Sequence, residues 1–216
     1  MMLRVLIALG LTLTHATAQS PDPQFVPENA REAAGEGNAA FIKQDYDNAR
    51  RAYTKVLALA PDNLLALTNL GVVEFADGKS AEAERLLKRA VQLRIENAPA
   101  WLTLGILYMD QGRLDESLAA LTQSLVHDSG NPRARNYLGV VIGRKGWFDG
   151  AQSELRKAVE IDPNYSDAHF NLAYFYLERK PPLIELARRH YFRSIELGAP
   201  PDPEIEATLK KAAPNQ

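Results

Sequence analysis

The chain has 216 residues, 46% hydrophobic and 24% charged, a balance that excludes disorder throughout and suits one or two globular domains. Its formal net charge of −2 supplies no basic field of the kind that draws proteins to phosphate backbones, so no nucleic-acid partner is expected. Cysteine is absent, which removes a disulfide framework, thiol chemistry and a cysteine-borne lipid anchor and leaves packing as the source of stability.

Residues 1–18 read as a secretory signal: Arg4 gives a charged start, 5–13 an apolar run, and Ala16-Thr17-Ala18 a small-residue cleavage site before Gln19. The run is too short to span a bilayer comfortably, so cleavage would leave a chain with no stable membrane insertion. An uncleaved anchor or a buried first helix is the alternative. The expected address is outside the cytoplasm, periplasmic or secreted. Residues 19–29, with Pro21, Pro23 and Pro27, read as an extended linker.

From Ala30 onward small residues recur at one interval. Gly37, Gly71, Gly105, Gly139 and Ala173 stand about 34 residues apart, a length that holds two short helices and two turns. The chain is cut accordingly into units 30–63, 64–97, 98–131, 132–165 and 166–201. Gly78, Gly112 and Gly146 fall where the first helix of a unit must turn, and Asp47, Asp115 and Asp149 are expected just before the second helix, accepting its free N–H groups. A second small column, Ala49, Ala83, Ser117, Ala151 and Ala187, is expected to let the paired helices approach, small facing small. A third, Val56, Ala90, Ser124, Ala158 and Ser194, is expected where the next unit packs. Larger residues fill the spaces: Leu70, Leu104, Leu138 and Leu172 in the first helices, Tyr53, Leu87, Leu121, Leu155 and Tyr191 in the second. Pro61 and Pro163 close second helices, while Ile95 and Ser129 take that place in two other units. Residues 202–216 follow a Gly198-Ala199-Pro200-Pro201 break, and Asp202-Pro203 can start a short capping helix carrying Ile205 and Leu209, with a truncated sixth unit as the alternative.

These columns resemble the tetratricopeptide repeat family. Trp101, Leu104, Gly105 and Tyr108 reproduce the opening of its pattern, and Ala151, Ala158 and Asp162-Pro163-Asn164 its ending. The match loosens at the ends, where Ala33, Glu36 and Ala40 replace large residues and the last unit carries extra residues around Pro181-Pro182, as terminal units of a stacked array allow. The resemblance implies an all-α, right-handed superhelical solenoid of about five helix–turn–helix repeats. It also implies that the first helices line a concave wall. That wall would comprise Arg31, Asn38 and Phe41, then Asn69, Val72 and Phe75, then Leu102, Ile106 and Met109, then Asn136, Val140 and Arg144, and finally Phe170, Asn171 and Tyr174. Some members hold a chaperone's chain end through a two-carboxylate clamp. Asn38 and Asn69 match its asparagine places, but Ala34, Pro99 and Thr103 stand where basic residues are required.

Nothing in the pattern calls for catalysis. The histidines beyond residue 18 are His127, His169 and His190. His169 takes the place held by Trp101 in the third unit, and the other two fall in second helices of different units without metal-ligand spacing. Nucleophile elbows, phosphate-cradling loops and EF-hand spacings are missing. No enzyme activity, cofactor or metal is expected. The wall is apolar with asparagines set in it, and an asparagine can both donate to and accept from a peptide backbone. The expected function is therefore a non-catalytic scaffold of the envelope or secreted space that binds a peptide or protein segment in its groove. The alternative is a self-assembling component, a homo-oligomer joined through the groove or the end helices.

Overall fold

The structure is a computed structural model that describes residues 28–212; the expected signal and most of the expected linker lie outside the described residues. Over the described residues the chain forms eleven helices: α1 (Glu28–Ile42), α2 (Tyr46–Leu59), α3 (Leu64–Ala76), α4 (Ser80–Leu93), α5 (Ala98–Asp110), α6 (Leu114–His127), α7 (Pro132–Arg144), α8 (Phe148–Ile161), α9 (Ser166–Leu177), α10 (Ile184–Glu196) and α11 (Pro203–Lys211). They fall into two compact units, 28–111 and 112–212. None of the described helices is long and apolar enough to cross a membrane.

In the 28–111 unit α1 pairs with α2 and α3 with α4, while α3 also packs on α2 and α5. The composition of α3 explains why it sits inside: Ala66 through Phe75 are buried on every side of the helix, and a helix apolar all round has no solvent face to offer. The second helices α2 and α4 bury only one stripe, Ala49, Ala52, Tyr53 and Val56 on α2 and Ala83, Leu86, Leu87, Ala90 and Val91 on α4. In the 112–212 unit α6 packs on α7, α7 pairs with α8, α9 pairs with α10, and α11 lies on α10. Its core joins Leu155, Phe170, Leu172, Phe175, Tyr176 and Tyr191 to Ile205 and Leu209 of α11.

The caps come from residues the glycine columns do not mark. Asn63, Asn97 and Asn131, one repeat apart, precede α3, α5 and α7, and their side chains accept from the backbone N–H of Ala66, Ala100 and Ala134 at 2.8, 3.2 and 3.0 Å. Asp202 does the same for α11, and Asp45 for α2. The expected capping role of Asp47, Asp115 and Asp149 is corrected: each lies inside the first turn, where its charge complements the helix dipole, and Arg113 and Trp147 occupy the cap positions of α6 and α8 without a side-chain cap.

The turns that close the first helices require a left-handed residue. Gly78, Gly112 and Gly146 supply it with φ of 78°, 73° and 85°, and in the first repeat Gln44 adopts φ of 58° at the same task. The helix pairs close on glycine in a way that differs from small facing small. A Cβ built on Gly71 would stand 2.7 Å from Leu87 Cγ, and one on Gly139 would stand 2.7 Å from Leu155 Cγ and 3.1 Å from the Ala151 carbonyl oxygen. The glycines thus leave room for the large residue of the second helix, and the small column beside it brings the backbone near.

A further tie links successive repeats. Arg50 of α2 donates through Nε to Glu74 Oε1 at 2.6 Å and through Nη2 to Glu74 Oε2 at 3.1 Å on α3, and it also pairs with Asp47 and Asp77. The Glu74 carboxylate, only 3% exposed, holds the Arg50 guanidinium's pKa well above its ordinary value against the opposing cost of burial, with Asp77 adding to the effect. Tyr108 donates to Glu84 at the corresponding place of the next repeat. In the 112–212 unit Gln152 donates to the Phe175 carbonyl at 3.1 Å, and Arg188 to the Leu209 carbonyl at 3.2 Å.

Candidate peptide-binding face

The residues expected on the inner wall divide by accessibility. On α1, α3 and α5, Phe41, Val72, Phe75 and Leu102 are 7–8% exposed, and Ile106 and Met109 are fully buried. On α7 and α9, Val140 is fully buried and Phe170 is 6% exposed. An apolar groove offering Ile106, Met109 and Val140 as anchors is therefore not what the fold presents. In the 28–111 unit α3 is packed by α4, α2 and α5, and in the 112–212 unit α7 is packed by α8, α6 and α9, so the apolar residues of these first helices are spent on packing. Arg31 and Arg144 remain exposed, and Asn38 and Tyr174 half-buried.

Polar side chains on these helices form two circuits. In the 28–111 unit Tyr53 donates its hydroxyl hydrogen to Asn38 Oδ1, while Asn69 Nδ2 donates to the Tyr53 oxygen at 3.3 Å and to Asn38 Oδ1 at 3.4 Å. Burial pushes the Tyr53 phenol up to about 12 against the Asn69 hydrogen bond, which keeps it a donor. Asn69, 3% exposed, is thereby committed inside the protein.

The circuit of the 112–212 unit is incomplete. Asn171 Nδ2 donates to Asn136 Oδ1 at 2.9 Å, and Asn136 Nδ2 reaches the Tyr165 oxygen at 3.5 Å. Asn171 Oδ1 is buried and accepts nothing, and Arg133 Nη2 is buried and donates to nothing, with the guanidinium carbon 5.8 Å from the Tyr137 ring centroid. Asp167 lies close enough to Arg133 to feel its field, yet burial dominates and raises the carboxyl pKa, while burial also raises the Tyr165 phenol. The glycine columns do not single out Arg133, Tyr165 or Asp167. Arg133 and Asp167 do stand one repeat apart, as do Pro99 and Leu65 before them, and that column is the signal from which they could be found.

The structure also joins two histidines that the sequence places in different helices of one hairpin. His169 Nδ1 lies 2.9 Å from His190 Nδ1, and His169 Nε2 lies 3.1 Å from the Pro163 carbonyl. A carbonyl can only accept, so His169 carries its proton on Nε2 and its Nδ1 accepts from His190. Burial lowers both pKa values, that of His190 to about 4, with the neighbouring His169 and Arg189 adding to the effect. Among the described residues no group of three or more His, Asp or Glu is arranged to hold a metal.

Tetratricopeptide repeat family models match residues 35–99, 74–139, 133–165 and 154–188. The Protein CTR9 homolog of Arabidopsis thaliana is 34% identical over 151 residues, 63% of this chain and 13% of that protein. The chain spans 13% to 33% of the length of the first curated relatives it matches. Among solved structures, a crystal structure of MamA is similar at 26% identity and a TM-score of 0.64, covering 80% of this chain and 96% of that one. Pseudomonas aeruginosa pilF shares the fold at 18% identity and a TM-score of 0.77, covering 85% of this chain and 84% of that one. Four repeat models that overlap to cover residues 35–188 of these helical hairpins, with glycine at the close approaches, place the chain in the tetratricopeptide repeat family.

Proposed function

We propose that the protein is a non-catalytic adaptor of the envelope or secreted space that holds a segment of a partner protein against its first-helix faces. The observation that carries this reading is the allocation of the chain. Between Glu28 and Lys211 every stretch longer than a connecting loop is helix, so the described chain is spent on a repeat array rather than on a catalytic domain. Such arrays offer surfaces, and here Arg31, Asn38, Arg144 and Tyr174 remain accessible on helices that otherwise bury their side chains. The signal reading of residues 1–18 supports the address.

Panning the purified full-length chain, processed or not, against a phage-displayed library of random dodecapeptides tests the binding reading. Enriched peptides should compete with one another for the protein, and a panning that enriches nothing over bare support would overturn it. Mass spectrometry of the chain recovered from an exporting host tests the address: a product starting at Gln19 is expected, and a full-length product retained in the cytoplasm would count against export.

A further inference from the structure

Several cationic side chains of the 112–212 unit are answered by carboxylates: Arg135 pairs with Glu154, Arg188 with Glu185 and Arg193 with Glu196. Arg156 on α8 and Arg189 on α10 are not. Both are exposed, and neither has a hydrogen-bond or ion-pair partner among the described residues, although Glu160 and Glu185 stand one turn away on the same helices. Both helices pack on α9. Gln152, one turn before Arg156 on the same face of α8, donates to the Phe175 carbonyl at 3.1 Å, which sets that face against the Phe175–Tyr176 turn of α9. From α10, the ring of His190, next in sequence to Arg189, stands 5.7 Å from the Tyr176 ring, centroid to centroid. Tyr176 is thus the floor between the two helices. Both arginines act on it: burial raises its phenol pKa, and Arg156 and Arg189 oppose that rise. Its hydroxyl is given to no described residue and is not sealed from solvent as Arg133 Nη2 is.

We propose that the cleft between α8 and α10 binds a phosphate group, free or as a monoester, whose oxygens accept from the Arg156 and Arg189 guanidiniums and from the Tyr176 hydroxyl. The site goes beyond the adaptor reading, because the second helices supply its charge and it does not use the first-helix faces. A carboxylate spends both of its oxygens on one guanidinium fork, whereas a tetrahedral phosphate presents oxygens in several directions and can meet two forks and a phenol together. The neighbouring acids do not fill the place: Glu185 is turned to Arg188 at 3.7 Å, and Glu160 pairs with neither arginine. A metal cation is disfavoured even with two histidines at hand, since Arg189 acts on both rings and Arg193 on that of His169. Because the two arginines are exposed, salt weakens what they hold.

Nuclear magnetic resonance of the full-length protein at fixed ionic strength tests this, with inorganic phosphate and phenyl phosphate as probes and acetate as a parallel probe. Phosphate should produce saturable shifts in the amide resonances around Arg156, Tyr176 and Arg189 at roughly millimolar concentration, and added sodium chloride should weaken them. Arg156→Gln and Arg189→Gln remove exposed, unpaired groups, so each should keep the rest of the spectrum and bind about tenfold more weakly. Lys55→Gln, which removes the same charge from an exposed lysine of the 28–111 unit, should bind as the parent does. Saturation by inorganic phosphate alone would identify a free-ion site, and tighter binding of phenyl phosphate a site for an esterified group; either supports the proposal. Acetate saturating the same resonances at equal concentration would make this a carboxylate site, and equal weakening by Lys55→Gln would reduce it to net charge. Shifts by neither phosphate would leave the two arginines as solvated surface. Each of these three results overturns the proposal, and none of them bears on the peptide panning that tests the adaptor reading.

Discussion

Acidification should loosen the α9–α10 hairpin through the His169–His190 pair. His190 is held neutral in the folded state, its pKa lowered by burial, by His169 and by Arg189 from the ordinary 6.5 to about 4; His169 is lowered by burial and by Arg193 and Arg189, against the Pro163 carbonyl and Asp162. The unfolded chain takes up these protons first, so its proton binding exceeds that of the folded chain between about pH 6.5 and pH 4. Stability from this source is whole above that window, falls as the pH drops through it and is level below it. From pH 7 to pH 5 the linkage relation gives about 2 kcal/mol for His190 alone, and solvent reaching a half-buried ring reduces this to roughly 1–2 kcal/mol. Urea unfolding of the parent and of His190→Gln, followed by circular dichroism at pH 7 and pH 5, isolates the effect from carboxylates common to both. The stability difference between the two proteins should move by that amount in favour of the glutamine variant at pH 5. A difference unchanged between the two pH values, or a His190 Cε1–H resonance titrating with a midpoint above 6, would refute the reasoning.

Three other outcomes follow from packing and backbone geometry. Arg50→Met strands the Glu74 carboxylate and should cost about 3–5 kcal/mol in urea unfolding, of which the double variant with Glu74→Leu recovers most. Gln44→Gly relieves the left-handed backbone at φ of 58° and should raise stability by roughly 0.5–1 kcal/mol in the same assay, where a loss would show that the Gln44 side chain has a role of its own. Gly139→Ala must push Leu155 and the α8 backbone aside and should lower the unfolding midpoint, costing about 1–3 kcal/mol, whereas Gly35→Ala, whose Cβ meets nothing within 4 Å, should not destabilise.

The repeat is legible because bulk is forbidden at fixed intervals, and the forbidding neighbour is visible: Leu87 against Gly71 and Leu155 against Gly139. Periodicity locates the helices for the same reason. It does not separate an inner wall from a core, because Phe75 and Met109 carry the same apolar signal whether they face a ligand or a neighbouring helix. Phe75, at 8% exposure, is thus a packing residue, and aspartate there would unfold its surroundings rather than silence a binding site. The histidine pair escapes a reading of the sequence because a contact between two side chains across a hairpin depends on how its helices are set against each other, which periodicity does not specify. The capping asparagines are readable in principle, standing one repeat apart at 63, 97 and 131, but the acids at the second position of α2, α6 and α8 draw the capping role by their charge.

The two polar circuits carry opposite demands, and that contrast is itself testable. Asn38 takes the only hydrogen that the Tyr53 hydroxyl donates, so Asn38→Leu leaves a buried donor without an acceptor and should destabilise the protein by about 1–3 kcal/mol. Arg133→Met removes a donor that already has no acceptor and keeps an apolar stem over the Tyr137 ring, so its effect on stability should be near zero or favourable. Equal destabilisation by Asn38→Leu and Arg133→Met in urea unfolding would show that the Arg133 guanidinium serves the fold after all, and would refute the distinction drawn between a paired and an unpaired buried group.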